Sequence, residues 1–339
     1  MNRSGNRIID DKGRTLILRG VNLGGSSKIP FSVDQNGAVS FVGRPLPLEI
    51  ARQCFQQLKS WGFTFIRFVI TWEALEHSGP GIYDEPYIDY LEKVIDEAAK
   101  AGISVYMDPH QDVWSRWTGG DGAPRWTLEK LGMEPEKLDA TGAAVTSSRK
   151  AMTWPVNYSL YAATTMFTLF FAGNTFAPEA RIDGESVQDF LQKRYIDAFR
   201  YCHRRLKSCK AIVGWGVMNE PHPGLIGYSD LNALENVTVA LGAVPSPFKA
   251  MIAASGHPVK VPVYTPWIKG WIIKGRKTIN PQGTSLFRQG FSCPWKQAGV
   301  WAGEGNEGQL LKPDHFSAYK GRPIRFTDDF LKPFTRKFI

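Results

Sequence analysis

The stretch "GWGVMNEPHPG" (Gly214–Gly224) ends an apolar run on Asn219, Glu220 and Pro221. A carboxyl held at the tip of a buried strand is a candidate general acid near neutral pH. An amide beside it can donate to, or accept from, a substrate hydroxyl. Pro221 biases Glu220 away from right-handed helical angles. In "ISVYMDPHQD" (Ile103–Asp112) a second apolar run ends on Asp108, His110 and Asp112. In "FTFIRFVITW" (Phe63–Trp72), Arg67 offers a guanidinium that can hold a carboxylate in its charged form. Each residue alone has a duller explanation: a buried ion pair for Arg67, a supporting residue for His110, a helix cap for Glu220. Their joint arrival at successive strand ends favours proton-transfer chemistry on a hydroxyl-rich substrate.

The positioning elements follow from periodicity. "TLILRGVNLGG" (Thr15–Gly25), Phe63–Trp72, Ile103–Asp112 and "AIVGWGVMNEP" (Ala211–Pro221) read as strands. "LEIARQCFQQLKSWG" (Leu48–Gly62), "PYIDYLEKVIDEAAKAG" (Pro86–Gly102) and "VQDFLQKRYIDAFRYCHRRLKS" (Val187–Ser208) read as helices, the first two ending on glycine. Strands alternating with helices, and apolar along their whole length, predict a parallel α/β fold whose strand tips form the site. About 110 residues separate His110 from Glu220, which predicts a long insertion over 113–186 in a single domain spanning 1–339. Its apolar stretch Leu160–Gly173 reads either as a core helix or as one wall of a lipid-binding pocket.

The chain has 339 residues, 43% of them hydrophobic, including eleven Trp. These Trp can be core residues or stack on sugar rings, and both readings stay open. Residues 260–339 hold 14 Lys/Arg against 5 Asp/Glu, an excess equal to the net charge of the whole chain, +9. This basic, loop-rich segment fits an acidic protein neighbour or an anionic membrane surface. No nucleic-acid motif accompanies it, so no nucleic-acid partner is expected. Cys54, Cys202, Cys209 and Cys293 lack zinc-ligand spacing and read as free thiols; no cofactor or metal is expected. The polar N-terminus lacks a secretory h-region and no stretch has the length of a membrane span. These signs point to an intracellular protein of cytoplasm or vacuole.

"RGVNLGG", "FIRFVITWEALE", "DPHQDVWSR", "GGDGAPRW" and "GWGVMNEPHPG" together resemble glycoside hydrolase family 5. The resemblance is nearest to the endoglycoceramidase-related branch, with its fungal glucosylceramidases and steryl β-glucosidases. It implies a (β/α)8 TIM barrel and retaining hydrolysis of β-glucosides on a glycolipid. It also implies roles: Glu220 as general acid/base, Asn219 on the sugar 2-hydroxyl, and His110, Asp112 and Lys28 on other hydroxyls. Arg67 would support the nucleophile, and Trp114 and Trp126 would wall the site.

A retaining mechanism needs a second carboxyl about 5–5.5 Å from the first. The family carries it at the end of the seventh strand. Four strands are used by Glu220, and the residues after it hold four more units only at a lean rate of about 30 residues each. Glu304 and Glu307, in "AGEGNEG", are flanked by glycine with no apolar strand before them, which predicts an exposed loop. The expectation is therefore an incomplete barrel, its N-terminal half to two-thirds, without the nucleophile. The alternative is an inactive pseudoenzyme or a glycolipid-binding protein.

Overall fold

Four parallel strands carry the stretches singled out above. β1 (Gly20–Leu23) leads to α1 (Leu48–Ser60), β2 (Phe65–Thr71), α2 (Glu85–Lys100) and β3 (Ser104–His110). After α3 (Tyr161–Phe176) and α4 (Val187–Arg205) the chain enters β4 (Ile212–Trp215). The sheet order is β4-β3-β2-β1. The computed structural model describes residues 2–35, 37–146, 154–235, 237, 239–268, 270–304 and 308–339. These fall into two compact units, one of residues 1–110 and 198–219, the other of residues 111–197 and 220–339.

The first unit holds the parallel sheet. α1 buries Ala51 and Phe55, and its chain reverses at Gly62 with φ 87°. α2 starts on Asp84, whose side chain accepts from the Tyr87 N–H, with Pro86 in its first turn. It buries Tyr87, Ile88, Leu91, Val94, Ile95 and Ala98, a stripe at helical spacing that packs the element onto the sheet side. β2 and β3 are buried without interruption over their last four residues, which is why they read as apolar runs. Gly24 follows β1 because a Cβ there would lie 2.2 Å from the Val69 Cβ of β2.

β4 corrects the reading of a buried strand. Among the described residues it is the sheet's edge, and Val213 is 41% exposed. Its register shifts between Ile212 and Gly214, a one-residue bulge at Val213. Pairing then continues past the strand: the Gly216 N–H donates to Met107 O and the Asn219 N–H to Pro109 O. That second pair of bonds spends three residues against two, another extra residue. Apolar character alone does not separate a central strand from an edge, because pairing on the far side is a property of the fold.

The second unit is built around α3, whose residues are buried from Tyr161 through Gly173. A helix apolar all round is a core helix, so of the two readings of Leu160–Gly173 the core one describes it. Phe170 and Phe171 meet Phe334 of a C-terminal helix, Lys332–Phe338, edge-on. Trp295 donates its indole N–H to the Thr165 hydroxyl. The segment expected to be loops also contains a long antiparallel sheet. β5 (Gly242–Ala243) pairs with β6 (Val259–Trp267), which pairs with β7 (Gly270–Ile279). At its root Val261 and Ile279 pack with Ala253 of the preceding helix, Pro247–Ala254. Among the described residues no helix is long and apolar enough to cross a membrane.

Leu91 is fully buried in α2. Leu91→Ala should lower the unfolding free energy by about 2–5 kcal/mol, read by chemical denaturation, whereas Glu92→Ala on the exposed face should change it by no more than about 0.5 kcal/mol.

Candidate active site

In the first unit the strand tips are joined by one guanidinium. Arg67, on β2, donates from Nη2 to Asp108 Oδ2 of β3 at 2.7 Å and to Asn219 Oδ1 at 2.7 Å. The same Asp108 oxygen lies 2.9 Å from His110 Nδ1. Asp108 and His110 are both buried. A buried carboxylate needs compensation, and Asp108 has it from both partners; removing one side of such a pair costs about 3–5 kcal/mol. Because guanidinium only donates, the Asn219 oxygen must face Arg67, which leaves the amide NH2 as the donor end. The carboxylate holds the His110 proton on Nδ1, so in the neutral ring Nε2 carries the lone pair. β3 runs on past Asp108 through His110. Lys28 closes the short turn Gly25–Lys28 just after β1 and is half-buried.

In the second unit the residues from 111 and from 220 are tied together. Gln111 Nε2 donates to the Glu220 carbonyl at 3.0 Å, and its Oε1 accepts from the Trp114 N–H at 3.0 Å. Asp112, buried, pairs through its backbone with Asp121 in both directions. Gly120 is required there, since a Cβ would lie 1.9 Å from the Asp112 carbonyl. Glu220 is exposed and left-handed, with φ 40°. Proline keeps it out of the right-handed helix as expected, but the conformation adopted is one that non-glycine residues reach only when their surroundings hold them.

Those surroundings include two groups the sequence reading did not single out. His222 Nδ1 accepts the Gly224 N–H at 3.0 Å, and its ring stacks on Tyr158 with centroids 4.6 Å apart. Phe167 of α3 lies against the same imidazole. Burial pushes the His222 pKa down to about 4, and the backbone donor on Nδ1 suits the neutral ring. Burial raises the Tyr158 hydroxyl well above its ordinary value, and the charges of Asp112 and Glu220 add to the shift. Tyr158 thus reports that both carboxylates lie within electrostatic reach of one ring. The signal for His222 was present in "NEPHPG"; Tyr158 had none.

The two tryptophans proposed as walls are core residues. Trp114 donates its indole N–H to Thr127 and packs edge-on against Phe167 and Phe170. Trp126, also buried, meets Phe190 edge-on. Trp114 is 2% exposed and Trp126 6%, so each ring is spent mostly on contacts within the protein. Glu304 is a surface residue, 76% exposed, whose hydrogen bond and charge contact with Lys296 hold its carboxyl below the usual range. Glu307 lies outside the described residues.

Parallel β/α units linked by an arginine–aspartate–histidine chain, with an amide and a carboxylate after the fourth strand, fit the rule that a (β/α)8 barrel carries its site at the C-terminal strand ends. The chain belongs to glycosyl hydrolase family 5: the family model described as "Cellulase (glycosyl hydrolase family 5)" matches residues 26–241. It is 40% identical to a glucosylceramidase of Rhizopus delemar, over 99% of this chain and 53% of the relative. It is 35% identical to the ergosteryl-beta-glucosidase of Saccharomyces cerevisiae, over 92% of this chain and 49% of the relative. The crystal structure of Cryptococcus neoformans sterylglucosidase 1 superposes with a TM-score of 0.91 at 35% identity, over 98% of this chain and 53% of that one. The four-stranded sheet is thus part of the family's (β/α)8 barrel. The chain spans about half the length of the curated relatives it matches.

The His222 environment has a pH signature. A histidine whose folded pKa lies near 4, below its unfolded 6.5, leaves the unfolded state binding more protons as pH falls through that window. Stability should fall on acidification across it, with a slope of up to about 1.4 kcal/mol per pH unit. His222→Asn keeps an acceptor for the Gly224 N–H but cannot titrate, so its denaturation midpoints should fall less steeply with pH than those of the parent.

Proposed function

We propose that the chain carries the acid/base half of a retaining β-glucosidase that acts on glycolipids, glucosylceramide or steryl glucoside. The observation that carries the reading is the Arg67–Asp108–His110–Asn219 chain ending one residue before Glu220. In this reading Glu220 protonates the leaving oxygen, and the Asn219 amide donates to the sugar 2-hydroxyl. His110, Asp112 and Lys28 bind further hydroxyls. Arg67 both fixes Asn219 and lends positive charge to the region where the nucleophile works. Tyr158 and His222 hold the Glu220 segment from behind, and Trp114 and Trp126 act through the packing of their loops.

The second carboxylate of the retaining pair is supplied, in this reading, from sequence outside these residues. Glu304, tied to Lys296 on the surface, supports that assignment. The names of the relatives support a glycolipid substrate, and the positive excess of residues 260–339 supports contact with an anionic membrane surface. The four cysteines are free thiols, in keeping with an intracellular location.

An acid/base without its nucleophile has a recognisable chemistry. Incubated with phenyl β-glucoside, the 339-residue chain should turn over only when azide is added. Azide attacks the anomeric carbon from the face opposite the leaving group, Glu220 protonates the departing phenolate, and α-glucosyl azide accumulates. Glu220→Gln should lower that rate by roughly 10²–10⁴-fold. Azide-independent turnover that survives Glu220→Gln would refute the assignment, as would a complete lack of azide rescue.

A further inference from the structure

The hairpin β6–β7 stands apart from the catalytic machinery. Every residue of β7 from Trp271 to Thr278 is exposed, although Trp271 and Ile272 each keep more than half of their surface covered. Its distal end is mostly apolar: Trp267, Ile268, Trp271, Ile272 and Ile273 are all exposed, Ile268 at 89%, and Lys269 is the one charged residue in the sequence between Trp267 and Ile273. Trp271 and Ile273 project from one face and Ile272 from the other, because side chains alternate along a strand.

The stem beyond the tip is cationic. Lys274, Arg276 and Lys277 follow directly on β7, and Lys260 lies near the start of β6, all exposed. The hairpin Val259–Ile279 contains five Lys/Arg and no Asp or Glu. A bulge between Val263 and Tyr264, opposite Lys274, marks the border between apolar tip and basic stem. Three residues separate Trp271 from Lys274, about 10 Å at the strand rise. That matches the depth, about 5–10 Å, at which an interfacial element sits below the headgroups. Tryptophan favours that boundary, and cations beside an anionic surface add electrostatic attraction. The cations on β7 also oppose strand addition by another protein edge.

We propose that the β6–β7 hairpin is a membrane anchor that inserts its Trp/Ile tip into an anionic lipid bilayer while Lys274, Arg276 and Lys277 engage the headgroups. It deepens the glycolipid reading by naming the element that would dock the protein on the layer where such a substrate resides.

The test is flotation of the 339-residue chain with vesicles that contain no glycolipid, either phosphatidylcholine alone or phosphatidylcholine with about one third phosphatidylserine. The parent should float with the anionic vesicles and much less with the neutral ones. Trp267→Ser with Trp271→Ser should reduce flotation by about tenfold or more. Lys274→Glu with Arg276→Glu and Lys277→Glu should remove the preference for phosphatidylserine. Circular dichroism matching the parent shows that the variants fold. Flotation of the tryptophan variant equal to the parent's overturns the proposal. So does a parent that stays with the unbound protein, or one that self-associates without lipid through a contact the tryptophan variant abolishes. The azide-dependent turnover of a soluble glucoside does not involve the hairpin, so failure here leaves the acid/base assignment standing, and failure there leaves the anchor standing.

Discussion

A single nitrogen of Arg67 ties together side chains carried on β2, on β3 and just beyond β4. It satisfies the buried carboxylate of Asp108, which in turn fixes the tautomer of His110, and it orients the amide of Asn219. The pleated sheet alone does not set these side chains; it brings the backbones to the right spacing and leaves the rotamers open. Lysine could supply the charge but not several donors in a rigid plane, so the geometry depends on guanidinium. The low exposure of Asp108 is what makes the arrangement costly to disturb. A half-solvated carboxylate could exchange its partners for water, and the amide and imidazole would then lose their common reference.

Much of this was legible because local signals and tertiary outcome agree. α1 and α2 follow from apolar spacing with glycine at the end, and in α2 proline at the start, and β2 and β3 from runs buried along both faces. Polar residues collect toward the strand ends of a parallel fold, and that is why Arg67, Asp108, His110 and Asn219 stood out in the sequence. What was not legible depends on partners distant in sequence. Whether Val213 is buried depends on what pairs with β4. Whether Trp114 stacks on a ligand or on Phe167 depends on where α3 lies. β6 and β7 were hidden by Pro262, Pro266, Gly270 and Gly275, which ordinarily interrupt strands. β6 pairs with β5 only at Val263 and Tyr264, so its prolines fall where a missing N–H is tolerated.

The second unit shows how an apolar insertion can serve a polar site. α3 exposes no charge and makes no contact with solvent over most of its length, yet its surface seats the Tyr158 and His222 rings and, through Thr168, the backbone of Leu225. Gly224 lies against it so closely that a Cβ would meet the Thr164 carbonyl at 2.4 Å. The left-handed turn at Glu220 is thus backed by packed atoms on its downstream side. The backbone that carries the exposed carboxylate is flanked by buried atoms on that side.

The two irregularities in the fourth strand have an arithmetic meaning. Each inserts one residue relative to β3, and each alone would reverse the facing of every side chain downstream. Together they cancel, and Asn219 points as it would in an unbroken ladder, though displaced along it. The segment between Ile212 and Asn219 therefore carries a parity as well as a length. A single insertion or deletion there changes that parity unless a further bulge absorbs it, while changes in pairs preserve it.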